Sequence, residues 1–186
     1  MEPTKFQIEL YKKLFPILGI SPKIAKYGDE KSDSEIRILS CPDPTDEEVM
    51  FFSTIGLSET IRNNNSPEIF FTSYASFSKA ANILSTTAFF IINNGWIASN
   101  GVVFETLIEM YYPNKEMKHL YFTTPYLWED KLEGLSVENK KVNFLLAIPI
   151  SNEELVFKNK YGFEKFEDLF QEKEVDIFDL DRKSTI

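Results

Sequence analysis

Val142-Asn143-Phe144-Leu145-Leu146-Ala147-Ile148-Pro149-Ile150 is almost wholly apolar, and its reading decides the fold. A strand covered on one face alternates apolar with polar residues. One that does not alternate has both faces covered and belongs inside a sheet. The run 142–149 is therefore predicted as a central strand. Immediately after it, Ser151 and Glu154 stand at capping-box spacing and open a helix carrying Leu155, Val156 and Phe157, which Gly162 stops. Phe163, Phe166, Leu169 and Phe170 then mark a last helix. Beyond it, the tail from Val175 alternates apolar and acidic residues and suits an edge strand.

Upstream, short strands are predicted at 24–27, 36–40, 49–55, 69–74 and near 119–122. Gly56 ends the third of them, and Asn63-Asn64-Asn65-Ser66-Pro67 is a turn cluster. Ser76 is predicted to open a helix with Phe77, Ala80, Ala81, Leu84 and Ala88 on one face, ending near Asn93-Asn94-Gly95. The span 102–112 reads equally as strand or helix. At the amino end, Thr4 and Gln7 form a capping box ahead of Phe6, Leu10, Leu14 and Leu18. An amphipathic first helix follows, with Pro16 set to bend or end it and Gly19 to close it. Thr45 to Glu48 is a further capping-box spacing or an acidic loop. No internal repeat, low-complexity tract or flexible linker interrupts the chain. The irregular order of strands and helices argues for an α+β fold rather than a doubly wound sheet.

The 186 residues suit one domain, 1–186, and 43% hydrophobic with 26% charged residues is a globular balance. Seventeen Phe, eight Tyr and two Trp make a bulky core of sheet layers covered by helices. Twenty basic against 29 acidic residues leave a net charge of −9, which repels nucleic acid and anionic membranes and suits a basic partner. The acidity is uneven. Residues 29–59 hold nine acids and two bases, a local −7. One Cys and one His exclude an internal disulfide and a Cys/His zinc site. The start of the chain has no basic region followed by an apolar one, and no apolar run is long enough to span a bilayer. The expectation is a soluble cytoplasmic protein.

Little chemistry declares itself. There is no Gly-rich phosphate loop, nucleophile elbow or zinc-protease motif. His119 is the only imidazole, and it suits a hydrogen-bonded strand residue better than a general base. Cys41, among acids, reads as a packed, inert thiol. Glu105 and Glu109 would pair only on a helix face. Asp43, Asp46, Glu47 and Glu48 crowd four carboxylates into six residues, but two prolines and no glycine make a poor Ca²⁺ loop. No cofactor or metal is expected. These four acids, with Trp96 after Asn93-Asn94-Gly95 and Tyr126 and Trp128 in an aromatic acidic loop, are the candidates for contact with another protein.

Phe52-Ser53-Thr54-Ile55-Gly56-Leu57-Ser58 resembles the strand and Thr-x-Gly-Leu/Met-Ser turn of Suppressor of fused-like domains. The closing block resembles that family's C-terminal signature: the 142–150 strand, Glu153-Glu154-Leu155-Val156-Phe157-Lys158, Tyr161-Gly162, Phe166 to Phe170 and the tail Ile177-Phe178-Asp179-Leu180-Asp181-Arg182. The resemblance covers about residues 24–186. It departs at Ser76-Phe77-Ser78, Gly95-Trp96 and Tyr161-Gly162, where the family has a Trp-Pro pair and two His residues. What the resemblance implies is one Suppressor of fused-like domain with helix 4–18 packed on it. The sheet would be mixed, mostly antiparallel and flanked by helices, in a single layer-packed domain. It further implies binding without catalysis: an immunity protein or antitoxin of a polymorphic toxin system, with a basic toxin domain as partner. The alternative is a module that sequesters a regulatory protein by strand addition.

Overall fold

The computed structural model describes residues 2–18, 21–60 and 66–186, beginning with helix α1 (Lys5–Leu18). Its capping box forms as the spacing predicts. Gln7 N–H donates to Thr4 Oγ1 at 3.1 Å, and Thr4 N–H donates to Gln7 Oε1 at 3.2 Å. Phe6, Leu10, Leu14 and Leu18 are all buried. Pro16 lies inside the helix and does not end it. Gly19 and the Asn63-Asn64-Asn65 turn fall outside the described residues.

Strands β1 (Lys23–Gly28), β2 (Glu35–Pro42), β3 (Val49–Ile55) and β4 (Glu68–Tyr74) form an antiparallel meander, with the single turn of α2 (Leu57–Thr60) between the last two. Next come α3 (Ala80–Asn94), β5 (Val103–Phe104), α4 (Leu107–Tyr111) and β6 (His119–Thr123). A 3₁₀ turn (Tyr126–Trp128) leads into α5 (Glu129–Leu132) and a hairpin of β7 (Ser136–Val137) and β8 (Lys140–Lys141). The chain closes with β9 (Phe144–Ile150), α6 (Asn152–Tyr161) and α7 (Phe163–Glu172). The sheet order is β1-β2-β3-β4-β9-β6-β5. Among the described residues only β4 and β9 pair in parallel, and every other neighbour is antiparallel.

The position of β9 explains its composition. All seven of its residues are buried, because the sheet is covered on both faces. Phe144, Leu146, Ile148 and Ile150 join the core under α1 and α7, while Leu145 and Ala147 join the core under α3 and α4. β4 divides in the same way, Phe70 to the first core and Ile69 and Phe71 to the second. The expected mixed, mostly antiparallel α+β sheet flanked by helices is the observed one.

Four local expectations need correction. The third helix starts at Ala80, four residues after Ser76. Its N-cap position is Lys79, and no side chain caps it. The span 102–112 is neither one strand nor one helix. It is β5 followed by α4, with Thr106 in the left-handed region at φ 61° as the joint. The tail adds no strand to the sheet. It crosses strand ends instead, its Phe178 and Leu180 carbonyls accepting from Tyr74 N–H and Met117 N–H. Finally, α6 packs Leu155 and Phe157 half-buried against the core as expected, but it exposes Val156 and buries Glu154.

Candidate functional site

The Thr54-Ile55-Gly56-Leu57-Ser58 turn is built around a residue that sequence reading missed. Glu68, fully buried at the start of β4, accepts five hydrogen bonds from the described residues. They come from Thr54 Oγ1 (2.6 Å), Gly56 N–H (3.1 Å), Leu57 N–H (3.2 Å), Ser58 N–H (3.0 Å) and Ser58 Oγ (2.6 Å). Burial pushes its pKa up, and the Ser58 and Thr54 hydroxyls and the backbone donors oppose that shift. Thr54 Oγ1 itself accepts from Ile69 N–H at 2.9 Å, and three of the five partners of Glu68 are backbone N–H groups that can only donate. That is the donor set of a carboxylate. Gly56 is required on two counts. Its φ is +93°, and a Cβ there would lie 2.6 Å from Gln7 Nε2. The turn thus seats the start of α1.

His119 is buried with both ring nitrogens occupied. Nδ1 accepts from Thr106 N–H at 2.9 Å, so Nε2 carries the proton and donates to Asn152 Oδ1, also at 2.9 Å. The imidazole ties the left-handed joint before α4 to the start of α6. Glu105 precedes α4 and does not share a helix face with Glu109, which pairs with Lys118 at 3.3 Å. Burial, and after it the charge of Asp43, push the Cys41 thiol up to about 11. In the native protein Cys41 is expected to resist a disulfide reagent such as DTNB at pH 8, and to react fully in denaturant. Rapid native labelling would contradict the placement.

The four acids at 43–48 occupy the β2–β3 loop. Asp43 is half-buried and holds the loop's shape. Its Oδ1 accepts from Thr45 N–H (2.6 Å), Thr45 Oγ1 (2.6 Å) and Asp46 N–H (3.1 Å). Burial would raise its pKa, but these bonds prevail and hold it below the ordinary carboxylate value. Asp46, Glu47 and Glu48 are exposed.

The tail folds against this loop and enlarges the charge. Glu48 O accepts from Ala75 N–H at 2.7 Å, and Tyr74 Oη donates to Asp176 Oδ2 at 2.8 Å. That bond first, then burial, then the charges of Asp176, Asp179 and Asp46 push the Tyr74 hydroxyl up to about 12. Carboxylates more than 120 residues apart in sequence thus act on one hydroxyl. The acidic stretch becomes an acidic face.

Next to that face lies a cleft of about 510 Å³ between the ends of β6 and β9, α7 and the first residues of the tail. Tyr121, Phe166 and Ile148 form its apolar walls, and Glu167, Asp168 and Glu174 bring carboxylates to it. Glu167 Oε1 accepts from Tyr121 Oη (2.7 Å) and Thr123 Oγ1 (2.5 Å). Tyr126, 49% exposed, lines the same cleft. Burial, and after it the Glu167 charge, push its hydroxyl up to about 12.

Trp128 is not an exposed loop anchor, which corrects the sequence expectation. Its ring is 7% exposed and packs against Phe51 (centroids 5.0 Å, nearly perpendicular) and Phe70 (5.1 Å). Trp96 is half-buried against Phe104 and Phe122, at the far end of the sheet where β5 lies. The candidates therefore divide between the acidic face with its cleft and the β5 end. Among the described residues, no group of three or more His, Cys, Asp or Glu is arranged to hold a metal, and no helix is long and apolar enough to cross a membrane.

Comparison with known proteins gives three results. Residues 32–183 match the family model of the Suppressor of fused protein. The immunity protein YqcF of Bacillus subtilis (strain 168) is 41% identical over 174 residues, spanning 90% of this chain and 91% of that one. Among solved structures, a Suppressor of fused homologue from Neisseria gonorrhoeae superposes with a TM-score of 0.70 at 19% identity, over 98% of this chain and 95% of that one. A chain of the Sufu–Fu complex gives 0.64 at 12% identity, over 96% and 90%. At these identities the structures speak for the fold alone.

Proposed function

The chain belongs to the Suppressor of fused family, and from that membership we propose that it is an immunity protein that binds and neutralises a cognate bacterial toxin domain without catalysis. The observation that carries this reading is the 41% identity, across nine-tenths of both chains, to a protein named for immunity. The acidic face supports a basic toxin as the partner, because a concentrated field of one sign steers an oppositely charged protein into encounter. The cytoplasm is the compartment in which such a partner would have to be met. The test is co-expression in a bacterial host with the toxin domain encoded beside this gene. Restored growth and co-purification of the two chains are expected. Killing that continues at equal expression would overturn the reading.

A second reading, capture of a peptide as an added strand, is supported by the open sheet ends, since among the described residues β5 pairs only with β6 and β1 only with β2. Lys23 and Lys26 on β1 discourage such pairing at that end.

If the acidic face steers the toxin, Asp46→Asn, Glu47→Gln, Glu48→Gln and Asp179→Asn together should slow association several-fold at about 0.1 M salt, where the Debye length is ~10 Å. At about 1 M, with ~3 Å screening, the variant and the parent should converge. Dissociation should change less. Asp43 is left in place because it shapes the loop. Equal association rates at low salt, measured by surface plasmon resonance, would assign the acids to solubility alone.

A further inference from the structure

Resting on the immunity reading, we propose that the cleft between β6 and α7 is a socket for one arginine side chain of the toxin, seated beside the acidic face that steers it. Its volume of about 510 Å³ falls in the roughly 300–1,000 Å³ range of ligand-binding clefts and admits a long side chain with its flanking backbone. Three lining residues are acidic and none is Lys, Arg or His, so an inserted cation meets only opposite charge. The wall chemistry favours a guanidinium in particular. Tyr121 and Phe166 are buried and form the floor, while Tyr126 and Phe170 are the partly exposed rings of the lining, and planar guanidinium groups stack on aromatic rings where a hydrated ammonium does not.

Phe170 already takes this role within the chain. Arg182 lies over its ring at 5.2 Å, but that guanidinium is held by Glu154 and does not neutralise the cleft. Glu167 is positioned for the incoming group. Both of its bonds, from Tyr121 and Thr123, fall on Oε1, and among the described residues no hydrogen bond or ion pair reaches Oε2. A carboxylate oriented by two hydroxyls from alternate positions of β6 has lost side-chain freedom before binding, so little remains to be lost when a charge arrives. The cleft also adjoins the steering surface. Glu174, Val175 and Ile177 line it, and Asp176 between them bonds Tyr74 beside the acidic loop.

The first test needs no toxin. The isotope-labelled protein is titrated with the peptide Ac-Gly-Arg-Gly-NH2 and with its neutral citrulline analogue, following amide resonances by NMR. Saturable shifts at Thr123, Thr124 and Gln171 are expected from the arginine peptide only. They should weaken roughly ten-fold when Glu167→Gln and Glu174→Gln are combined, two changes that keep shape and, at Glu167, the accepting Oε1. No shifts, or equal shifts from both peptides, would overturn the socket. The second test uses the toxin domain. Glu167→Gln and replacement of one toxin arginine by alanine should cost similar affinity singly and no more together. If the wild type neutralises the toxin and the double variant binds it equally well, the socket is wrong and the immunity reading survives. If the arginine peptide binds as described while no toxin is neutralised, the cleft takes arginine but not a toxin's, and the immunity reading falls together with the proposed occupant. A homodimer of this chain that dissociates in the double variant would place the chain's own arginine in the cleft and overturn the proposal.

Discussion

Glu68→Ala is expected to melt roughly 10 °C or more below the parent, and Glu68→Gln to fall between the two. The alanine variant leaves three backbone N–H groups and two hydroxyls at a buried site without their acceptor. Each unsatisfied buried donor costs about 1–3 kcal/mol, so leaving two or three of the five without any acceptor costs about 3–5 kcal/mol in all. For a domain whose net stability is about 5–15 kcal/mol, that is a large fraction. Glutamine keeps one carbonyl oxygen but turns an NH₂ donor towards other donors, so it restores only part of the loss. Ser58→Ala removes a single donor and should cost about 1 kcal/mol. The expected order of melting temperatures is parent, Ser58→Ala, Glu68→Gln, Glu68→Ala. A Glu68→Ala protein that melts with the parent would mean the turn is held by packing alone. The α1 contact provides a second readout, because Gly56 in this turn abuts Gln7. Amides at the start of α1 should exchange faster in Glu68→Ala.

What the sequence discloses of this fold is local. β3 runs over 49–55 as predicted, and the boxes at Thr4–Gln7 and Ser151–Glu154 form with both reciprocal bonds. These signals lie within a few residues of each other, where propensity and capping chemistry act directly. Gly95 likewise ends α3 in the left-handed conformation that favours glycine. Long-range decisions are not written locally. The tail has the alternation of a strand, but the chain settles across strand ends through Phe178 and Leu180. Glu68 is one acid at the head of an apolar run, and nothing near it announces five donors arriving from 10 to 14 residues upstream. The acidic face was half legible. The crowding at 43–48 is visible in sequence, whereas Asp176 and Asp179 join it only through Tyr74. Trp128 shows the opposite failure. Its loop composition suggests exposure, yet the 3₁₀ turn at 126–128 folds the ring onto Phe51 and Phe70.

Arg182→Ala should destabilise the protein by about 3–5 kcal/mol, the cost of removing one partner of a buried ion pair. Glu154 is fully buried, and Arg182 grips it with both arms of the guanidinium, Nη1 to Oε1 at 2.6 Å and Nη2 to Oε2 at 2.8 Å. The same Nη2 donates to Pro149 O at 2.9 Å, at the end of β9. Glu154 also completes the capping box of α6 and accepts from Thr185 N–H and Oγ1, each at 3.0 Å. One buried carboxylate therefore joins the central strand, the first turn of α6 and the carboxyl-terminal tail. Without the arginine, that charge keeps three neutral donors and loses its counter-ion. Arg182→Lys keeps the charge but not the two-armed geometry, and should recover less than half of the loss. Glu154→Gln with Arg182→Met should be less damaging than either single change, because no unpaired buried charge remains. The tail supplies the functional readout. Glu174, Val175 and Ile177 line the cleft and Asp179 belongs to the acidic face, so a tail released from Glu154 should exchange its amides faster and weaken binding of the toxin domain from a distance. Thermal melts, hydrogen exchange over 174–186 and toxin affinity for the five variants measure this together. Full exchange protection of the tail in Arg182→Ala, with an unchanged melting temperature, would refute the clamp.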